Sequence, residues 1–221
     1  MHRFAAFLSL LLVPLLHAQE SGRGDVKVRF LAERAPANLG QVDLHAGKVR
    51  SAAFDLPTNH LSEPQVPPAR AFSVCQAGKE SPLAAVTLPE SGKAFIVLLV
   101  PVPAGGYKPV VVPADDPSFK PGDVYFYNHA DKPVLGYVGT AKFILQPATG
   151  QTLRPEGAKP EKYYDVGFGV REKEGDRALS TTRWPVDPQQ RSYVFFFVNP
   201  KNNRLDFRAV DEFVPPEKAG S

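Results

Sequence analysis

Few side chains in this sequence are spaced for metal or nucleophilic chemistry. After residue 18 the histidines are His45, His60 and His129, the one cysteine is Cys75, and the only methionine is the initiator. Zinc sites place ligand pairs roughly two to five residues apart, and none of these residues has such a neighbour. A blue-copper centre takes two His, a Cys and usually a Met, so it is excluded too. Asp115-Asp116 and Asp211-Glu212 carry the oxygens calcium uses, yet acidic pairs in loops are ordinarily just solvated. No metal and no cofactor are expected. The motifs G-x-S-x-G, S-x-x-K and H-E-x-x-H are absent. Cys75 ends the apolar run Phe72-Ser73-Val74-Cys75, which reads as a buried, inert thiol. Glycoside hydrolysis needs two carboxylates across a cleft, and the sequence singles out no pair.

The side chains that stand out are aromatic. In Val124-Tyr125-Phe126-Tyr127-Asn128, strand alternation puts Tyr125 and Tyr127 on the face opposite Val124 and Phe126. Two tyrosines so placed suit a sugar ring, a partner strand or a neighbouring domain. His129 and Tyr137 lie near enough in sequence to extend the patch. Trp184, the only tryptophan, sits in Thr181-Thr182-Arg183-Trp184-Pro185 as either a core plug or a stacking platform, with Arg183 beside it for an anionic group. These six residues are the candidate binding set. Arg23-Gly24-Asp25 matches an adhesion tripeptide, but its last two residues also belong to a repeated turn, which accounts for them without a receptor.

Strands have to position these residues. The 23 prolines are scattered along the chain, and no stretch beyond the N-terminal segment carries a sustained helical period with caps. Val26, Val28 and Phe30 alternate with Lys27, Arg29 and Leu31. Phe95 to Val100 and Tyr193 to Val198 are apolar on both faces, as central strands covered on both sides must be. Further strands are expected at 69–75, 142–146, 163–171 and 205–210. The pattern also repeats: Gly24-Asp25-Val26 recurs as Gly122-Asp123-Val124, and Lys93 to Val100 matches Arg191 to Val198, both at an offset of 98. Leu88-Pro89 parallels Trp184-Pro185 at an offset of 96, and the turn cluster Pro103 to Gly106 parallels Pro200 to Asn203. Matches in one order along the chain imply an internal duplication. The expected fold is all-β: two tandem antiparallel β-sandwich domains, immunoglobulin-like or small-barrel, over residues 19–116 and 117–214, with a flexible tail at 215–221.

Residues 1–18 read as a cleavable signal peptide: Arg3 leads an apolar run from Phe4 to Leu16, too short to span a bilayer comfortably, and the cut is expected after Ala18. The chain is therefore expected in the periplasm or outside the cell, without stable membrane insertion. A single cysteine closes no intramolecular disulfide, so the core alone must hold the fold. With 26 basic against 23 acidic residues there is no clustered basic footprint for nucleic acid. Two similar domains without a shared polar constellation suggest a non-catalytic binding or assembly module of the cell envelope, offering a sheet face or edge to a protein or polysaccharide. The alternative is a hydrolase or transferase acting on envelope polymers, with Asp, Glu or His lining a cleft at the domain junction.

Overall fold

The computed structural model describes residues 26–199 and 202–215. The expected signal peptide, the Arg23-Gly24-Asp25 tripeptide, Pro200-Lys201 and residues 216–221 lie outside the described residues. The first half contains β1 (Lys27–Ala32), β2 (Gln41–Ala46), β3 (Val49–Arg50), β4 (Phe54–Asp55), β5 (Ala71–Gln76), β6 (Pro82–Thr87), β7 (Ala94–Pro101) and β8 (Tyr107–Pro113). The second contains β9 (Val124–Asn128), β10 (Val134–Val138), β11 (Ala141–Leu145), β12 (Gly150–Leu153), β13 (Tyr163–Glu172), β14 (Gly175–Pro185), β15 (Gln190–Asn199) and β16 (Arg204–Phe213). The described chain is all-β, as its proline content and period-two patterning require.

Each half is a two-sheet sandwich. In the first, β1-β7-β8 faces β3-β2-β5-β6, with β4 also pairing β2; in the second, β12-β9-β15-β16 faces β11-β10-β13-β14. The strand order agrees between the halves except that β4 joins β2 whereas β12 joins β9. Neither sandwich is wholly antiparallel, contrary to expectation. β1 runs parallel to β7 and β9 parallel to β15, because the chain between each pair first builds the opposite sheet and so supplies the long connection that parallel pairing needs.

The halves are stacked. Phe95, Val97 and Leu99 of β7 enter the interior of the first sandwich, while Ile96, Leu98 and Val100 enter a second cluster with Tyr193, Phe195 and Phe197 of β15. The remaining face of β15, Val194 and Phe196, fills the second sandwich with Phe126, Phe143 and Phe168. The four sheets therefore form four layers, with β1-β7-β8 against β12-β9-β15-β16 in the middle. This explains why β7 and β15 are apolar on both faces.

The same layering corrects the register of the sequence repeat. An offset of 98 aligns Phe95 with Tyr193, yet Phe95 faces its own sandwich and Tyr193 faces the other half. Val194 is the residue of β15 that matches Phe95 by face, a one-residue slip that exchanges the two sides of the strand. The alignment holds better at Leu88 and Trp184: Leu88 directly follows β6, Trp184 lies at the end of β14, and both pack on the interior of their own sandwich.

Gly139 makes the tight turn between β10 and β11. Its φ is +62°, and a Cβ there would lie 1.7 Å from the Glu156 carbonyl oxygen. Backbone cannot yield as a flexible side chain can. Gly139→Ala is accordingly expected to cost upwards of about 1–3 kcal/mol through strain and clash together, read as a lower urea midpoint with an unchanged slope.

Candidate functional site

The six candidate residues divide among three places. Tyr125 and Tyr127 sit directly across from Tyr193 and Phe195 of β15, on the face that meets the first half. Tyr127 is 3% exposed, and Tyr125 packs against the same cluster, edge-to-face with Phe119 at 6.4 Å. A Cβ on Gly150 would lie 2.1 Å from the Tyr125 hydroxyl, so that ring rests in the space the glycine leaves open. Of the readings open to this pair, interdomain packing fits, because the face that points out of one sandwich points into the other. Burial, then the neighbouring Tyr127, pushes the Tyr125 hydroxyl up to about 12. Burial raises Tyr127 and, most strongly, Tyr193 in the same direction. Ionisation of Tyr125 is thus delayed in the folded state. Below the ordinary value of 10 the group is neutral folded or unfolded, and between 10 and about 12 only the unfolded chain ionises it. Stability is expected to fall across that window, by about 1.4 kcal/mol for each unit separating the folded and unfolded values. Denaturant midpoints measured from neutral pH to pH 12 check this.

Polar contacts flank the apolar layer. At one end, Glu212 accepts from Arg29 at 3.0 Å, from Arg191 at 2.8 Å and from the Tyr193 hydroxyl at 2.8 Å. Arg191 also donates to the Ala114 carbonyl at 2.6 Å and stacks over Phe119 at 4.8 Å, which pins the connection between the halves. At the other end, His129 Nδ1 lies 2.6 Å from the Glu33 carboxylate, and Arg208 donates to the carbonyls of Glu33 and Thr58. His129 is therefore a cross-junction contact and does not extend an exposed aromatic patch. Glu33, His129 and Glu212 do converge on the junction, but Glu33 and His129 are bonded to each other, Glu212 is ion-paired with Arg29 and Arg191, and the space between them is filled by the apolar cluster.

Tyr137 belongs to a different surface. Leu135 and Tyr137 of β10 point away from the second sandwich, as do Gly167 and Gly169 of β13 beside them, because Val134, Val138, Val166 and Phe168 take the inner face. In the Gly167-Phe168-Gly169 alternation neither glycine adds a side chain to that face, and both are covered, Gly167 by the Tyr137 ring and Gly169 by Leu135 and the Arg177 backbone. The result is an open trough of about 810 Å³, walled by Leu135, Tyr137 and Ile144 on one side and by β14 on the other. Tyr137 leans across Gly167, where a Cβ would come within 2.4 Å of the ring. Lys142 lines the rim, as do Arg171 and Asp176, which form a two-bond ion pair at 2.9 and 3.1 Å. Arg183 lies further along the same face, 4.7 Å over the Tyr163 ring and 3.7 Å from Asp165.

Trp184 turns inward at the end of β14. It meets Phe168 edge-to-face at 5.7 Å and remains half-buried where the second sandwich opens. A smaller pocket of about 180 Å³ lies there, between Trp184 and Tyr164 on one side and Asp123, Arg154, Asp187 and Asp211 on the other. Sequence reasoning missed Arg154, Asp187 and the two glycines of the trough, read Asp211 as a solvated acid and Asp123 as part of a turn. The Gly-Phe-Gly alternation was a legible sign of a strand face that neighbouring side chains cover.

On the outer face of the first sandwich, Asp43 and His45 pair at 2.8 Å beside Cys75. Cys75 is 1% exposed, and burial first, then the Asp43 and Glu80 carboxylates, raise its thiol. That is the electrostatic opposite of an activated nucleophile. Among the described residues no three His, Cys, Asp or Glu side chains group as metal ligands. No protein-family model and no curated protein matches this chain.

Proposed function

We propose that this protein is an exported, non-catalytic binding or assembly module of the cell envelope that presents the outer face of its β11-β10-β13-β14 sheet to a protein or polysaccharide partner. The observation that carries this reading is the solvent-facing trough over Gly167 and Gly169, with Tyr137, Leu135 and the 48% exposed Ile144 along its wall. Concave apolar surface with a polar rim is the usual form of a recognition site. The halves are read as copies of one duplicated unit, in which the outer face of one sheet in each became mutual packing and the second copy kept an open face for a partner. The junction acids and His129 are spent on holding the halves together, which favours a scaffold over an enzyme.

The test is capture of envelope components on immobilised mature protein, compared with Ile144→Asp. That change introduces a charge into the trough at an exposed position, where stability is expected to move by no more than about 0.5 kcal/mol. Capture should fall for Ile144→Asp and persist for Phe213→Ser, which alters an exposed apolar residue on β16. Equal capture by both variants would reject the trough as the binding face.

A further inference from the structure

The pocket under Trp184 combines features that the trough lacks. We propose that it is a separate site for a single pyranose ring, neutral or amino-bearing, held against Trp184 by the carboxylates of Asp187 and Asp211. Nothing in this inference depends on the trough, which lies on the opposite face of the sheet.

The ring wall is built by directly opposed strand residues, since Trp184 of β14 pairs with Tyr164 of β13. A pocket of about 180 Å³ has room to seat one six-membered polyol ring. A sugar offers such a site an apolar C–H face for the indole and hydroxyls for charged acceptors. The polar groups are held in place. Pro185 and Pro188 bracket the turn after β14, and Asp187 fixes it by accepting from the Gln189 amide through Oδ1 at 2.8 Å. Asp211 Oδ1 accepts from the Ser192 hydroxyl at 2.6 Å. In both residues Oδ2 has no hydrogen-bond partner among the described residues, and so remains available to a ligand hydroxyl. Asp123, 4% exposed, is already satisfied by Arg154 at 2.8 Å and by the Lys120 amide at 2.7 Å. Its role is to hold the guanidinium at the rim.

Charge sets the preference. Three carboxylates and one guanidinium line the pocket, so an ammonium is attracted and a carboxylate repelled. The expected order of affinity is glucosamine, then glucose, then glucuronic acid.

Because Trp184 is the only tryptophan, fluorescence excited at the red edge of the indole band, where the tyrosines do not absorb, reports this pocket. Titrating the mature protein with each of the three sugars should give a saturable change in emission in that order. Asp187→Asn/Asp211→Asn should weaken glucosamine binding at least about tenfold while the melting temperature stays close to the parent value, since two charge-assisted contacts are lost at positions outside the core. Ile144→Asp, which tests the trough, should leave the titration unchanged. The absence of a saturable change with any of the three sugars, tightest binding of glucuronic acid, or undiminished affinity in the double Asn variant would overturn the proposal.

Discussion

Replacing Tyr125 with Lys and Tyr127 with Arg, the residues at the corresponding places in β1, is expected to lower the melting temperature by on the order of 10 °C. Each buried aromatic contributes about 1.5–3 kcal/mol, and a change of 1 kcal/mol moves the midpoint of a chain of this size by about 2–4 °C. The substituted side chains would also bring two cations among Ile96, Leu98, Phe119 and Tyr193, where the nearby Glu212 is already shared by Arg29 and Arg191. A melt followed by circular dichroism checks this. A shift equivalent to less than about 0.5 kcal/mol would mean that the rings face solvent and that the layered junction is wrong.

Glu212→Gln is expected to have an effect of similar size by an electrostatic route. Glu212 is the common acceptor for Arg29, Arg191 and Tyr193, with the Glu212 and Arg191 side chains 10% and 9% exposed. The isosteric amide keeps the volume but removes the charge, leaving Arg191 buried without a counter-ion. Breaking a buried pair from one side costs about 3–5 kcal/mol, far more than a surface pair contributes. Arg191 also holds the connection between the halves through the Ala114 carbonyl, so loosening should appear there first, as faster amide exchange over residues 114–123 than in the parent. Unchanged stability and unchanged exchange would show that this network is not what fixes the junction.

The sequence made the strands legible where packing imposes a period, and left them obscure where it does not. β1, β7, β13 and β15 carry enough apolar residues to announce themselves. β14 is exposed along most of its length, so no alternation marks it, and its placement depends on pairing with β13. The alternation also showed that Tyr125 and Tyr127 share a face directed out of their own sandwich. It carried no information on what covers that face, because the cover comes from β1, β7 and β8, far away in the chain. A clue was present in β15: a strand apolar on both sides needs a second covering layer, and the neighbouring strand β9 must meet the same layer. Tyr137 and Arg183 do share a surface, but their proximity to it arises from the pairing of β10 with β13 and of β13 with β14. Sequence distance from Tyr127 suggested a continuous patch that the sheet divides between its junction and its outer side.

These tyrosines distinguish the junction from the outer surface chemically. The Tyr125–Tyr127 face is internal and the Tyr137 face is open. Nitration of the native protein with tetranitromethane, mapped by mass spectrometry at limited extent, reads all of these rings in one experiment. Tyr137 should be modified while Tyr125, Tyr127 and Tyr193 remain protected, since burial both blocks the rings and raises their hydroxyls. All four should react at comparable rates once the chain is unfolded in urea. Native-state nitration of Tyr125 and Tyr127 as fast as Tyr137 would contradict the account and return that face to the list of candidate binding surfaces.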